Sequence, residues 1–468
     1  MAEVLERDGV RDGQPFILGP DGFYDLDLNR FLRELPSIGV RAENSIAAYA
    51  FDLTVFCRFL WNSRGGKRIW EVERVDALAF KQLRRSTPGF EVAASTWNRF
   101  VAVLDKLVFW ALDEKLMQRA PFRYRELWVA TEYGGKTVQS NGLRDPDEKP
   151  PVQFVCFEDF LLWRDVGLRG RLPDGRPDKS WRGRNAERNA AFADLLVHTG
   201  MRLGEACSVL VAELPELRAD AGSPLNLSPA VTKRNKARTV WVDRRTLRKV
   251  LAYCDVEREA LTVSRPFGPD RAGTLDLVQV VRAGSHGISA RLDGQIRPLA
   301  LSKIDTGLRE RLYQVQADGG TEPLSLWLRE DGRPMSRAGW QNVFARANER
   351  CARLGVKVCI HPHVLRHTFA VTMLGLLLRE TIRHLGPHEV GISTEGQLKR
   401  LLLGSPLRKL QLLLGHKHIE TTMIYLDYLD EAREIVLAAL ESWGDQAIAL
   451  ERTEVGQGEV ARAGGAAA

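Results

Sequence analysis

The stretch from Arg408 to Tyr428, RKLQLLLGHKHIETTMIYLDY, constrains this chain more than any other. Arg408 to Leu414 reads as a helical turn or two with leucines on one face. Gly415 is a natural stop, since glycine takes the left-handed conformation that closes a helix at little steric cost. His416 falls in the turn that follows. A second helix is predicted to begin near Thr421 or Thr422, either of which can cap it, and it carries Tyr425 about one turn in. The pattern is therefore helix, exposed histidine, helix, exposed tyrosine. A tyrosine on an apolar helix is more often a core residue than a reactive one, so the meaning of Tyr425 depends on the rest of the chain.

Two upstream segments carry residues suited to a phosphate. IHPHVLRHTFAVTML, from Ile360, places His363 and Arg366 three apart and so on one helix face, with Pro362 favouring the first turn. FADLLVHTGMRLGEACSVLV ends an apolar helix at His198 to Gly200, with Arg202 next and Glu205 one turn on. Between them lies AVTKRNKARTVWVD. Its residues Thr239 to Val242 read as a strand, and Lys233 to Lys236 as a basic hairpin turn. Taken singly, an arginine or lysine is ordinarily a solvated surface charge and a histidine a packed or exposed one.

In this order the strings TGMRLGE, TKRNKAR, HVLRHTF and LLGHKHIETTMIY closely resemble the tyrosine recombinase (phage integrase) family. The resemblance implies a catalytic set of Arg202, Lys233, His363, Arg366, His416 and Tyr425. Tyr428 rivals Tyr425, but only Tyr425 has the family's spacing from His416. Lys236 rivals Lys233, which aligns better with the family's string. His367 and His418 read as structural or solvent-facing.

The chain of 468 residues is long enough for two or three domains, and 44% hydrophobic residues are ample for packed cores. A formal charge of +7 points modestly toward a polyanion without naming it. The six cysteines show no C-x-x-C pair, which argues against a zinc ribbon or a disulfide framework. The first residues are too charged for a signal peptide, and no apolar run reaches the roughly 18 residues of a membrane span. A soluble, cytoplasmic, nucleoid-associated protein is expected.

The fold expected from the resemblance is mainly α with a small antiparallel β-sheet: a helical core-binding (SAM-like) domain followed by the catalytic domain. Residues 1–41 form an N-terminal arm or cap, with a turn at Pro20 to Gly22 and a short helix, LNRFLREL; the cap is favoured. Residues 42–125 hold three amphipathic helices. Given the resemblance, Lys81, Arg84, Arg85, Asn98, Arg99 and Lys106 become candidate phosphate contacts there. Residues 126–151, rich in glycine, proline and charge, read as a linker. The catalytic domain takes 152–443, with basic insertions near 262–314 and 379–405, and a last helix after Tyr425 suited to docking on a neighbouring subunit or on its own domain. Residues 444–468 read as a disordered tail.

The chemistry implied is strand exchange in double-stranded DNA by a homotetramer on paired sites, monomeric or dimeric off DNA, with no cofactor and no metal. A phenol with an ordinary pKa near 10 can be activated by nearby cations, and the phosphotyrosine it forms conserves the bond energy for religation. Arg202 and Arg366 suit the non-bridging oxygens. His363 or His416 would assist the phenol proton or one of those oxygens. Lys233 would protonate the departing 5′ oxygen, and Glu205 would orient Arg202. Two other readings are a DNA-binding protein without catalysis, and a metal-dependent phosphodiesterase built on HPH and GHKH, which lacks an acidic ligand cluster.

Overall fold

The computed structural model describes residues 13–131, 134–146, 151–218, 222–233, 235–269, 276–385 and 405–429. The chain divides into two compact units, Met1–Pro151 and Val152–Ala468. Each has its own hydrophobic core. The helix expected after Tyr425, the tail from Gly444, most of the second insertion and the first twelve residues lie outside the described residues.

The first unit packs four helices: α1 (Leu26–Glu34), α2 (Glu43–Ser63), α3 (Arg74–Ser86) and α4 (Ala94–Asp113). Asp25 caps α1 by accepting from the Leu28 amide at 3.0 Å. Residues before α2 belong to this core as a cap: Ile17, Phe31, Leu32 and Leu35 are buried in it. Asn29 ties the incoming segment down, accepting from the Ile17 amide at 2.7 Å and donating to its carbonyl at 2.9 Å. Phe56, Phe80 and Phe100 meet in edge and tilted contacts at the centre, the geometry aromatic rings prefer.

The segment read as a linker opens differently. β1 (Tyr124–Thr131) and β2 (Gly134–Asn141) pair antiparallel, from Tyr124 opposite Asn141 to Thr131 opposite Gly134. The hairpin is pinned to α4, because the Tyr124 hydroxyl and the Asn141 amide both donate to Asp105. Leu143 follows into the core, and its carbonyl accepts from the Trp97 indole at 2.8 Å. Glycines and charges suggested a tether; here Gly134 and Gly135 open a paired strand.

The second unit is built around α6 (Ala186–Thr199), which follows α5 (Phe157–Trp163) and is buried on nearly every face. Phe192 stacks on Trp340 at 3.5 Å, and Trp327 closes on both rings edge-on. Gly200 ends α6 in the left-handed conformation (φ 62°), and α7 (Leu203–Cys207) starts beyond Arg202. β3 (Ser223–Leu227) and β4 (Arg238–Val242) form a hairpin, followed by α8 (Arg244–Tyr253) and α9 (Glu259–Ser264). α11 (Arg337–Arg353) precedes α12 (Pro362–Leu385), which starts at the expected proline; α13 (Pro406–Leu414) ends at Gly415, also left-handed (φ 66°).

The first insertion is an ordered sheet. β5 (Val278–Ala283), β6 (Gly287–Leu292), β7 (Gln295–Ala300), β8 (Leu312–Val315) and β9 (Thr321–Pro323) lie in the order β7-β6-β5-β8-β9, with α10 (Thr306–Arg309) before β8. The β5–β8 pair is parallel and the other pairs are antiparallel. Its inner face packs Val280, Ile288, Ala290 and Leu312 over Leu210 and Leu324. Arg309, buried beneath it, forks onto Glu213 at 2.6 and 2.9 Å.

Candidate active site

Three elements of the second unit converge at the ends of α6, α12 and α13. Arg202 occupies the N-cap of α7, where its amide donates to Glu205 Oε2 at 2.7 Å and its guanidinium to Oε1 at 3.1 Å. Glu205 is buried and serves a second arginine: Arg238, the first residue of β4, donates from both terminal nitrogens to the two carboxylate oxygens at 2.7 Å each. Arg238 also donates to the Leu413 carbonyl at 3.2 Å, tying β4 to α13. Burial pushes the Glu205 carboxyl up, but the Arg238 fork and then Arg202 outweigh it and hold the group below its ordinary value.

Arg366 lies wholly inside, with 2% of its surface exposed. It donates to the Gly200 carbonyl and, at 2.6 Å, to the Leu414 carbonyl. Both acceptors are carbonyls at helix C-termini, groups left over when a helix ends. Burial, then the charges of Arg202 and Arg238, pull its guanidinium down to about 9, so it stays cationic at neutral pH.

Tyr425 is 1% exposed, its ring packed among Phe369, Leu410, Leu414 and Leu429. A phenol sunk entirely in that cluster would be a core residue. Its hydroxyl instead meets Nδ1 of His367 at 2.9 Å, and the ring of His416 stacks at 6.4 Å and 16°. Burial raises the Tyr425 pKa, against the opposing pull of Arg366 and then Arg202. The hydroxyl is therefore turned to His367 and feels the charges of both arginines.

The stretch carrying Tyr425 is tighter than the sequence suggests. α14 (Glu420–Met423) is a single turn, Tyr425 sits in the bend after it, and a 3₁₀ turn runs from Leu426 to Tyr428. Thr422 is buried inside this turn and does not cap it; its hydroxyl lies 2.9 Å from His416 Nδ1. Burial and the charges of Arg366, Arg202 and Arg238 push His416 down to about 3, which leaves a neutral ring. With Nδ1 engaged by Thr422, Nε2 is the nitrogen left for another partner.

His363 stands at the start of α12 with its residue surface open, while partial desolvation of the ring and then Arg366, Arg202 and Lys233 lower its pKa. Lys233 is exposed on the hairpin turn, which Thr232 closes by donating to the Lys236 carbonyl at 2.7 Å. Tyr428 is occupied elsewhere, its hydroxyl accepting from the Val152 amide at 2.8 Å.

The sequence reading missed two residues. Arg238 closes the string TKRNKAR, but its tie to Glu205 depends on strand register. His367 lies four residues from His363, hence on one helix face, and the two rings meet at 4.3 Å. Burial, then His363 and Arg366, push His367 down to about 4.

Of the candidate phosphate contacts in the first unit, Lys81 and Arg85 are ion-paired to Asp145 at 2.7 and 2.5 Å. Asn98 exchanges hydrogen bonds with the Asp145 backbone, and Arg99 forks onto Asp52 at 2.7 and 2.8 Å. These four anchor the segment after the hairpin and the α2–α4 contact, so the side chains expected to meet phosphate are engaged here by the chain's own carboxylates and backbone. Lys106 is half-buried and only loosely held to the Ile38 carbonyl at 3.4 Å, and Arg84 is half-buried.

The phage integrase family model matches residues 178–389, and the model of its N-terminal SAM-like domain matches residues 28–115. The chain belongs to the phage integrase family. The family's tyrosine recombinase XerC of Lactobacillus delbrueckii subsp. bulgaricus is 23% identical over 402 residues, spanning 85% of this chain and 92% of that protein. XerC of Roseiflexus castenholzii is 23% identical over 403 residues, 84% of this chain and 86% of its own. Among solved structures, XerH bound to palindromic difH substrate aligns with TM-score 0.48 and 13% identity, covering 91% of this chain and 92% of that one. The Tn1549 transposon integrase with transposon right end DNA gives 0.47 and 13%, with 88% and 98% covered. Phage integrase family membership makes the chain a tyrosine-type recombinase. No described helix is long and apolar enough to cross a membrane.

Proposed function

We propose that the chain cleaves and rejoins double-stranded DNA through a 3′-phosphotyrosyl intermediate, as a homotetramer on paired sites, in the integration, excision or transposition of a mobile element. The observation that carries the reading is the placement of the Tyr425 hydroxyl at His367, within the field of Arg366 and Arg202.

Tyr425 Oη attacks phosphorus, the bond to the 5′ oxygen breaks, and Lys233 supplies the proton to that oxygen. Arg202 and Arg366 hold the two non-bridging oxygens as charge grows on them, each contributing on the order of 3 kcal/mol to lowering the barrier. His416, neutral and oriented by Thr422, donates to one of those oxygens. His363 stands at the exposed side of the cluster, where it can relay the phenol proton. Glu205 holds both Arg202 and Arg238 in place and is not a base: a carboxylate bound by two guanidinium groups is a poor proton acceptor.

The test is a nicked suicide duplex, from which the short 5′-hydroxyl fragment diffuses away and the adduct accumulates. The wild-type chain should become covalently linked without added cofactor, and Tyr425→Phe should not. DNA binding with no adduct from the wild type would leave a DNA-binding protein without catalysis. Which rearrangement is served would follow from inverted repeats flanking the gene.

A further inference from the structure

The insertion sheet turns one face to the core, and no described residue covers the other. On the uncovered face Arg282 sits opposite Ser289, which sits opposite Pro298, and Arg291 follows on the same side of β6. Lys303 and His286 stand at its edge, and all four basic side chains are exposed. Between Val278 and Lys303 the bases Arg282, Arg291, Arg297 and Lys303 are set against the single acid Asp293. Neither Arg282 nor Lys303 has an acidic partner among the described residues, whereas the buried arginines beneath the sheet are paired.

A groove of about 670 Å³ lies over this face, lined by Arg282, His286, Ser289 and Lys303. It adjoins a second of about 430 Å³ through the shared His286; the second is floored by Asn226, Ser228 and Thr239 and reaches Arg238 of the candidate active site. Its one carboxylate, Glu213, is already neutralised by Arg309. The sheet is fixed to the lysine hairpin, with Ser228 donating to the Leu301 carbonyl at 2.7 Å. The two grooves thus meet at His286 and form one track that starts beside Arg238 and leads away along the insertion, where its unpaired cations, Arg282 and Lys303, stand.

We propose that this track binds the sugar-phosphate backbone of duplex DNA beyond the point of cleavage, with Arg282 and Lys303 on phosphates. The inference rests on the proposed DNA strand exchange. Exposed, unpaired cations joined to hydroxyl and amide donors are what phosphate recognition uses, and they carry affinity rather than sequence choice. A partner of opposite charge and regular spacing fits a track that begins beside Arg238, which shares Glu205 with Arg202, and ends on two unpaired cations.

The measurement is fluorescence anisotropy of a random-sequence duplex titrated with the full chain over a series of salt concentrations. In Arg282→Ala/Lys303→Ala the slope of log affinity against log salt should shrink by about two, one for each phosphate no longer neutralised. Arg282→Lys/Lys303→Arg should keep the wild-type slope, since it keeps both charges. Adduct formation on the nicked duplex at saturating protein is read in parallel. An unchanged slope in the alanine variant overturns this proposal alone when the adduct still forms. A wild-type chain that does not bind duplex DNA overturns it together with the proposed function.

Discussion

Because the ring of Tyr425 is packed on all sides, the bond to His367 decides where its hydroxyl points. With His367 pushed to about 4, the ring is neutral at physiological pH, and Nδ1 can accept the phenol proton in a hydrogen bond. His367→Ala should lower the single-turnover rate of adduct formation by roughly a hundredfold, the cost of letting a reacting group drift by about an ångström. Duplex affinity should be unchanged; weaker binding with an unaltered rate would show that His367 only packs. The same depressed values set a pH dependence. His367 and His416 are neutral in the fold down to about 4 and about 3, while in the unfolded chain they gain protons below their ordinary 6.5. Their contribution to stability is therefore intact above pH 6.5 and is lost as pH falls toward 4 and 3. Thermal melts should show Tm declining over that interval, and His367→Gln/His416→Gln should flatten the decline. Arg238→Met would leave the buried Glu205 with Arg202 alone, at a cost of roughly 3 kcal/mol in urea unfolding. Neither His367 nor Arg238 was legible as a partner. Histidine next to arginine and arginine at the end of a basic turn are ordinary surface patterns, and only the strand register and the packing of α12 on α13 give them their neighbours.

The helix ends that build the site were far easier to read. Gly200 and Gly415 were both visible as stops, and both take positive φ (62° and 66°) where the carbonyls just before the helix ends meet Arg366 or Arg238. Gly200 is tightly enclosed, since an added Cβ would lie 2.3 Å from Phe369 Cδ1. Gly200→Ala should cost roughly 2–3 kcal/mol, combining left-handed strain with overpacking against α12. It should also slow adduct formation by displacing the carbonyl that holds Arg366. Gly355 offers the comparison, with φ 77° and nothing within 4 Å of an added Cβ. There Gly355→Ala should cost about 1 kcal/mol and leave the adduct rate alone. Equal rate reductions at the two positions would show that the effect is global destabilisation. The β1–β2 hairpin and the insertion sheet were hidden for different reasons. β1 and β2 are neighbours in sequence, but β2, GGKTVQSN, carries glycine and polar residues in place of an apolar alternation. The insertion strands are short, and the parallel β5–β8 pair joins segments that are not neighbours in sequence, so pairing decides the structure there.

Every residue proposed for the chemistry, from Arg202 to Tyr425, belongs to the unit Val152–Ala468, whose core is built entirely from its own side chains. The first unit contributes four helices and a hairpin, with its most promising cations already bound to Asp52 and Asp145. The proposed function implies a division of labour, in which the second unit performs the reaction and the first adds binding. Expressed alone, residues 152–468 should fold cooperatively and, at saturating protein, form the adduct on the nicked duplex at a rate within a few-fold of the full chain. Its affinity should fall and its salt slope should shrink by the number of phosphates the first unit neutralises. Because Lys81, Arg85 and Arg99 are ion-paired in the structure, that decrease should be modest unless duplex DNA displaces Asp145 and Asp52 from them. Asp145→Asn in the full chain separates the two cases. If Lys81 and Arg85 reach phosphates only on leaving Asp145, weakening the pair should steepen the salt slope and tighten binding. If they remain structural, the variant should lower the melting temperature and leave the slope where it was.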